Sequence, residues 1–473
     1  MADMPNTERK SHIPRWAKVI GLLLVLVFVL LGTIRILGLA ATRRWERYVA
    51  KLEAEGQPIT MEAIDALRTP LPDEQNGALV IEGICNELQK LKPESKYVFV
   101  LGTWAPDADF FNGVPRYAIE PTRAFLAEHA ELLAQLERLA DKPFGRFDLV
   151  LEENPWETLL PHLSPIRAAC KLEHVVGITR LTKGDCEGAA HAAVLQFNIA
   201  GTLNEHPAIV ARLVEVVGDV LAMQTVENTL RVGEPPEKVL LELQSTIAGR
   251  LDAATMRWAF QAERVFQSVI LDMIASGKVP KEMSEVLGDF GSIPQSFLPN
   301  VLIRSSQLRG AEMMGWLVDA ADDPEALLGA ARRSDAELAR LPKSQFLLKL
   351  YLPSLSRACV LHVKCIAQLR STHTALAAER YRMQTGTLPE SLDVLVPEYL
   401  AELPIDPFDG KPLRLVQTDE GIIIYSIGED GIDDEGFVAE EETGRPGSDV
   451  GFRLNRLEHR GLILTDEKPP EEE

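Results

Sequence analysis

The chain has no Cys-x-x-Cys pair among its five cysteines, Cys85, Cys170, Cys186, Cys359 and Cys365. Their spacing therefore says nothing about redox compartment, and they read as small buried hydrophobes rather than as a disulfide framework. No cysteine follows the apolar N-terminal run, which argues against a lipoprotein anchor. Gly-x-Ser-x-Gly, His-Glu-x-x-His, Ser-x-x-Lys and the phosphate-binding loop are all absent, so no contiguous motif requires an enzymatic activity. Positive charge is also scarce. The net charge is -21, and residues 387 to 473 alone hold 23 acidic against 7 basic side chains. A nucleic-acid partner needs a basic face, so that class is excluded, and the acidic C-terminal fifth reads as a solvated surface or a cation site within one.

What is present is length and apolar content. With 473 residues, 46% of them apolar, the chain can bury a large core and should hold more than one unit. Val19 to Ile34 is an uncharged apolar run that continues past Arg35 to Ala41. At about 1.5 Å per residue, roughly 20 residues cross the hydrocarbon, and Arg35 can snorkel, so the run is read as a single transmembrane helix. A cleaved signal peptide is the rival reading, since Gly38 and Ala40 suit a small-residue cleavage site. Arg9, Lys10, Arg15 and Lys18 flank one end, and Arg35, Arg43, Arg44, Arg47 and Lys51 the other. The positive-inside rule is therefore nearly silent on orientation.

The expected organisation is an N-terminal tail (1-18), the transmembrane helix (19-41), a connector of helices and loops (42-120), a helical array (121-342), a long helix with a small α+β domain (343-455) and an acidic tail (456-473). In the connector, Thr60 is placed to cap a short helix, and Trp104 to Pro115 reads as an irregular loop with aromatics beside Asp107 and Asp109. From Pro121 to about Gln384 apolar residues recur at helical spacing. Leu172, Val175, Val176 and Leu181 line one helix, Gly184-Asp185 turns, and Ala189, Ala193, Val194, Phe197 and Ala200 line the next. No fixed period repeats. The fold class expected is mainly α: a single transmembrane helix, an irregular array of antiparallel helical hairpins, and a terminal domain with a long helix on a short antiparallel sheet.

Within the terminal block, Gly386 can take the left-handed conformation that ends a helix, Pro389 suits the start of a short helix and Pro397 its end. Leu413 and Leu415 alternate on a strand, Thr418-Asp-Glu-Gly421 turns, and Ile422 to Tyr425 returns. This block, Ala377 to Gly410 with Asp-Pro-Phe-Asp-Gly at its end and Ile422-Ile-Ile-Tyr-Ser-Ile-Gly-Glu-Asp-Gly431 after it, resembles the soluble domain of the type II secretion major pseudopilin. The pseudopilin processing site and the glutamate early in the apolar helix are absent, so the resemblance implies a reused end domain and not a fibre subunit. It also places the bulk of the chain outside the cytoplasm, anchored in the inner (cytoplasmic) membrane. In the pseudopilins the loop after this strand binds calcium. The resemblance thus implies Asp430, Asp433 and Asp434 as metal ligands, with Asp449 more distant, in a stretch where carboxylates alternate with glycines; an acidic turn without an ion is the other reading. No cofactor is required.

A second resemblance spans nearly the whole chain. Gly56-Gln-Pro-Ile-Thr, Pro72-Asp-Glu-Gln-Asn-Gly-Ala, Leu160-Pro-His-Leu-Ser-Pro-Ile-Arg, Lys183-Gly-Asp, Glu205-His-Pro-Ala-Ile-Val and Ala262-Glu-Arg occur in this order. Together they resemble a family of membrane-anchored bacterial proteins that end in the same pseudopilin-like block and have no assigned activity.

Two functions follow as expectations. One is a membrane-anchored interaction or scaffold protein with a protein partner in the cell envelope. The other is an envelope hydrolase with a noncontiguous site, near Trp104 to Asp109 or at His162 with Ser164. Cys359, His362, Cys365 and His373 share one helix, but steps of three drift around it, so core packing is expected there and not zinc. Glu263 and Arg264 are expected in an ion pair between helices.

Overall fold

The computed structural model describes residues 15-91, 113-149, 160-253, 255-276, 300-437 and 449-466. The chain is mainly helical, with one long apolar N-terminal helix and a three-stranded antiparallel sheet near the C-terminus. Helix α1 (Arg15–Ala54) runs for 40 residues, about 60 Å at 1.5 Å per residue. Val19 to Leu31 are exposed on every side, and the helix is long and apolar enough to cross a membrane. Its second half has a different surface. Ala41 and Leu52 are buried, Trp45 and Tyr48 half-buried, and these four recur at helical spacing, while Arg43, Arg44, Arg47 and Lys51 stay exposed.

Short helices follow: α2 (Met61–Leu67), α3 (Gly77–Gly83) and α4 (Cys85–Lys90). Thr60 caps α2 as expected, accepting from the Ala63 N–H at 3.1 Å. Then come strand β1 (Val114–Pro115), α5 (Arg116–Glu128) and α6 (Ala130–Leu136). The foreseen hairpin is α7 (Leu163–Leu181) and α8 (Cys186–Gly201). Gly184 takes a φ of 73° in its turn, and Asp185 caps α8 by accepting from the Gly188 N–H at 2.9 Å. In α8, 13 of 16 residues are buried. It is therefore a central helix, and its alanines let α7 and α9 (Ile209–Val232) pack against it.

The remaining helices are α10 (Glu237–Ala253), α11 (Arg257–Ser276), α12 (Asn300–Ala320), α13 (Pro324–Arg340) and α14 (Phe346–Thr385). Sequence periodicity marked all but α13. Its start is written locally: Asp323 accepts from the N–H groups of Glu325 and Ala326 at 3.0 and 3.1 Å, with Pro324 at the first helical position. Helix α12 packs on α1, where the Tyr48 hydroxyl donates to the Ala311 carbonyl at 3.0 Å.

Helix α14 ends at Gly386, whose φ of 85° is left-handed, as expected. A 3-10 turn, Leu392–Leu395, follows, capped by Ser391 rather than started at Pro389. Strands β2 (Arg414–Gln417) and β3 (Gly421–Ser426) form the expected hairpin. Strand β4 (Val450–Asn455) adds a third, pairing Ile424 with Phe452 and Ile422 with Leu454. Alternation sends these four side chains to the core, where they join Phe197 of α8, Val226 of α9, Leu243 of α10 and Leu369 of α14. The end domain thus shares one core with the helical array.

Residues 456-466, expected as the start of an acidic tail, run back over this body. The Arg460 guanidinium donates to both carboxylate oxygens of Glu379 at 2.6 and 2.7 Å, and β5 (Leu464–Thr465) pairs in parallel with β1. Burial alone would raise the Glu379 carboxyl, but bonds from Arg460 and Arg382 outweigh it and hold it below the usual range. Four of the five cysteines are buried, Cys85 is half-buried, and all are free thiols. Residues 1-14, the region of Trp104 to Asn112 and the interruption Glu440 to Gly447 lie outside the described residues.

One close approach positions the loop before α7. A Cβ on Gly201, at the end of α8, would sit 2.1 Å from the Pro143 carbonyl oxygen, and one on Gly145 would sit 2.8 Å from the carbonyl oxygen of Thr202, the residue after Gly201. Gly201→Ala is expected to cost about 1–3 kcal/mol, because the backbone must separate. Thermal unfolding of the detergent-solubilised variant measures this, and an unchanged midpoint refutes it.

Candidate functional site

Three polar groupings inside the array and one acidic loop beyond it have the chemistry to be functional. The loop holds the metal candidates. Asp433 accepts from Arg414 Nε at 3.0 Å on one oxygen and from the Tyr425 hydroxyl at 3.0 Å on the other. Asp430 accepts from the Ile432 N–H at 2.9 Å, and Asp449 accepts from the backbone N–H groups of Asp434 and Gly436 at 3.4 and 2.8 Å. Among the described residues no three His, Cys, Asp or Glu side chains gather as a metal site. Asp433 is thus already held on both oxygens by Arg414 and Tyr425.

The second grouping lies where α2, α7 and the α8–α9 turn meet. His162, before the first turn of α7, and His206 place their Nε2 atoms 3.0 Å apart, so one ring donates and the other accepts. Phe147 stacks on His162 with centroids 4.0 Å apart at 10°. Burial, then the Arg68 charge, lowers His162 to about 4, and His206 is lowered well below its ordinary value, first by burial and then by His162 and Arg68. Ser164 is exposed while His162 is buried, so the two do not form a nucleophile and base. Glu205 accepts from the Thr69 N–H and hydroxyl at 2.8 and 2.7 Å. Arg264 likewise donates to the Gln57 amide oxygen at 3.1 Å, whereas Glu263 lies elsewhere, bonded to the backbone of Ile209. Glu263 and Arg264 are thus satisfied by different neighbours and not by one ion pair. Residues from separated short motifs meet in pairs here, which ties the chain together.

The third grouping is fully buried between α9, α10 and α14. Arg250 donates to both Asp219 oxygens at 3.0 and 2.9 Å and to Glu215, while Arg212 pairs with Glu215 and faces His362 Nδ1 at 3.3 Å. Two cations and two anions cancel. His362 is buried against Arg212, and Cys359 and Cys365 are buried in the same helix, which agrees with core packing. Comparison of the chain with protein-family models, curated proteins and solved structures gives no match. A site must therefore be argued from geometry.

Geometry favours a pocket of about 250 Å³ between α7, α8, α10 and the 3-10 turn Glu137–Leu139. Its wall carries Glu137, whose carboxylate lies 2.6 Å from His191 Nε2. Arg180 is engaged with Asp185 at 3.0 Å. Glu173 is 3% exposed, lines the pocket, and has no hydrogen-bond or ion-pair partner among the described residues. Burial, then the nearby Glu137 charge, pushes its carboxyl up to about 8, against the pull of Arg180. Among the described residues no Ser, Thr or Cys lines the pocket. Sequence reading missed it, since Glu173 sits inside an apolar helical stretch and its neighbours come from three other elements.

Proposed function

We propose that the protein is a single-pass inner-membrane scaffold, with its bulk outside the cytoplasm and a protein partner in the cell envelope. The observation that carries this reading is the continuity of α1. One helix passes from an apolar face exposed all round into a stem docked on α12, with no flexible linker between anchor and body. Such a stem holds the helical array at a fixed height above the bilayer, which suits presentation of a surface to a neighbour. The C-terminal domain is read as pseudopilin-like. A long helix closed by Gly386, a short 3-10 turn and an antiparallel sheet support that reading, and the shared core makes the domain a rigid end piece.

The alternative is an envelope hydrolase of the helical region. It draws on the same pocket, where Glu173 could give a proton and His191, held by Glu137, could take one from water. The continuity of α1 with the body favours the scaffold.

Reporter fusions at residue 5 and after Glu473 test the topology, combined with photo-crosslinking from exposed positions of α10. An active periplasmic reporter at the C-terminus and a discrete crosslinked envelope protein are expected. A C-terminus in the cytoplasm overturns the proposal.

A further inference from the structure

We propose that the pocket between α7, α8 and α10 binds a protonated amine or guanidinium on an aliphatic stem, with Glu173 receiving the charged head. The inference names the chemistry of one recognition point on the array and so rests on the scaffold reading. Four glutamates, Glu137, Glu173, Glu187 and Glu242, line the cavity, which disfavours an anion. Of its cations, Arg180 is committed to Asp185, and Lys238 is exposed at the rim.

Glu173 is the decisive group. A carboxyl that is 3% exposed and meets solvent through the pocket is costly to keep ionised, and an organic cation seated beside it would offset that cost. A metal ion needs three or more converging ligands, which do not gather among the described residues. An organic cation needs only one deep carboxylate and walls for its methylene groups. Val176 and Val239 supply those walls. The volume is smaller than that of a typical drug-sized site and matches a single side chain or a small diamine.

Binding has a protonic signature. The empty pocket keeps Glu173 protonated at neutral pH, because its carboxyl is pushed up to about 8. A cation beside it favours the ionised form, so about one proton leaves to solvent on binding.

The test is calorimetric titration of the full-length protein in detergent with agmatine, in two buffers of different ionisation enthalpy at pH 7. A second titration uses a short arginine-containing peptide. Saturable binding with release of about one proton is expected, and Glu173→Gln should weaken it on the order of tenfold and abolish the release. Tighter binding of the peptide than of agmatine identifies a protein side chain as the source of the cation, and the reverse a free amine; either supports the pocket. Val176→Phe, which fills the stem channel, should block both ligands and serves as the second variant should Glu173→Gln not fold. No binding by the folded wild type at millimolar agmatine overturns the inference, as does unchanged affinity in Glu173→Gln. The topology and crosslinking results are independent of this titration, so the scaffold can stand if the pocket fails.

Discussion

Arg250→Met is expected to destabilise the protein by about 3–5 kcal/mol, one of the largest effects of any single substitution. The guanidinium lies between Asp219 and Glu215, all three essentially without solvent. Burial works against its charge, and the two carboxylates outweigh that and raise its proton affinity. Removing it leaves two buried anions facing Arg212 alone, and the loss comes chiefly from their stranded desolvation. Asp219→Leu in the Arg250→Met background should therefore recover part of the loss, since apolar replacement of a whole buried pair is often close to neutral. Urea unfolding of the two single variants and the double variant gives the coupling energy. A loss under about 1 kcal/mol for Arg250→Met, or strict additivity in the double variant, would show that water reaches the network.

This network also marks the limit of sequence reading. Local grammar was legible. Gly184-Asp185 announced a hairpin, and Gly386 announced the end of α14, because a turn or a left-handed cap is decided by the residues that form it. Helix α13 was also written locally, in Asp323-Pro324, but its amphipathic pattern lay between two stronger apolar runs. The third strand was not legible, since β4 is separated from β3 by the acidic loop and its pairing is non-local.

The pocket was the least legible feature. Glu137, Glu173, His191 and Glu242 occupy four elements, and each alone resembles an ordinary solvated charge. Helix α7 is apolar nearly all round, so only packing shows that Glu173 is inside, where 14 of the 19 residues of α7 are buried. The same holds for His162 and His206, which are 44 residues apart in sequence and 3.0 Å apart in space. Residues that look like candidate catalysts in sequence became tie points, and a residue that looked like nothing became the floor of the pocket.

Stability is expected to peak near neutral pH and to fall steeply on acidification, for reasons that lie in these same buried groups. His174 is lowered to about 4 by burial, His162 and His373 to about 4, and His206 and His362 well below their ordinary value. In the unfolded chain each would bind a proton below about pH 6.5, and the folded chain holds them neutral. The unfolded state therefore takes up more protons between about pH 6.5 and 4, and stability falls as pH falls through that window. His174 alone, being fully buried, accounts for about 3 kcal/mol by pH 4. Glu173 and Glu263 act in the opposite sense. Raised to about 8 and about 7, they are protonated in the folded state where the unfolded state is ionised, so their contribution is full below about pH 4.5 and is lost as pH rises through 7 to 8. Over the acid window the five imidazoles are joined by the Glu379, Asp322 and Asp409 carboxyls, which arginines hold low. They oppose Glu173, Glu263 and the other carboxyls that burial raises, Asp219, Glu227, Glu82 and Asp449, and the destabilising groups outnumber them. Urea midpoints measured from pH 4.5 to 9 should pass through a maximum near pH 6.5–7, with a steep acid limb and a shallower alkaline one. Glu173→Gln should flatten the alkaline limb and steepen the acid limb, because one of the carboxyls that oppose the imidazoles there is removed. Stability that holds constant or rises from pH 6.5 to 4.5 would mean that the histidines are reached by solvent and that the array is looser than its packing implies.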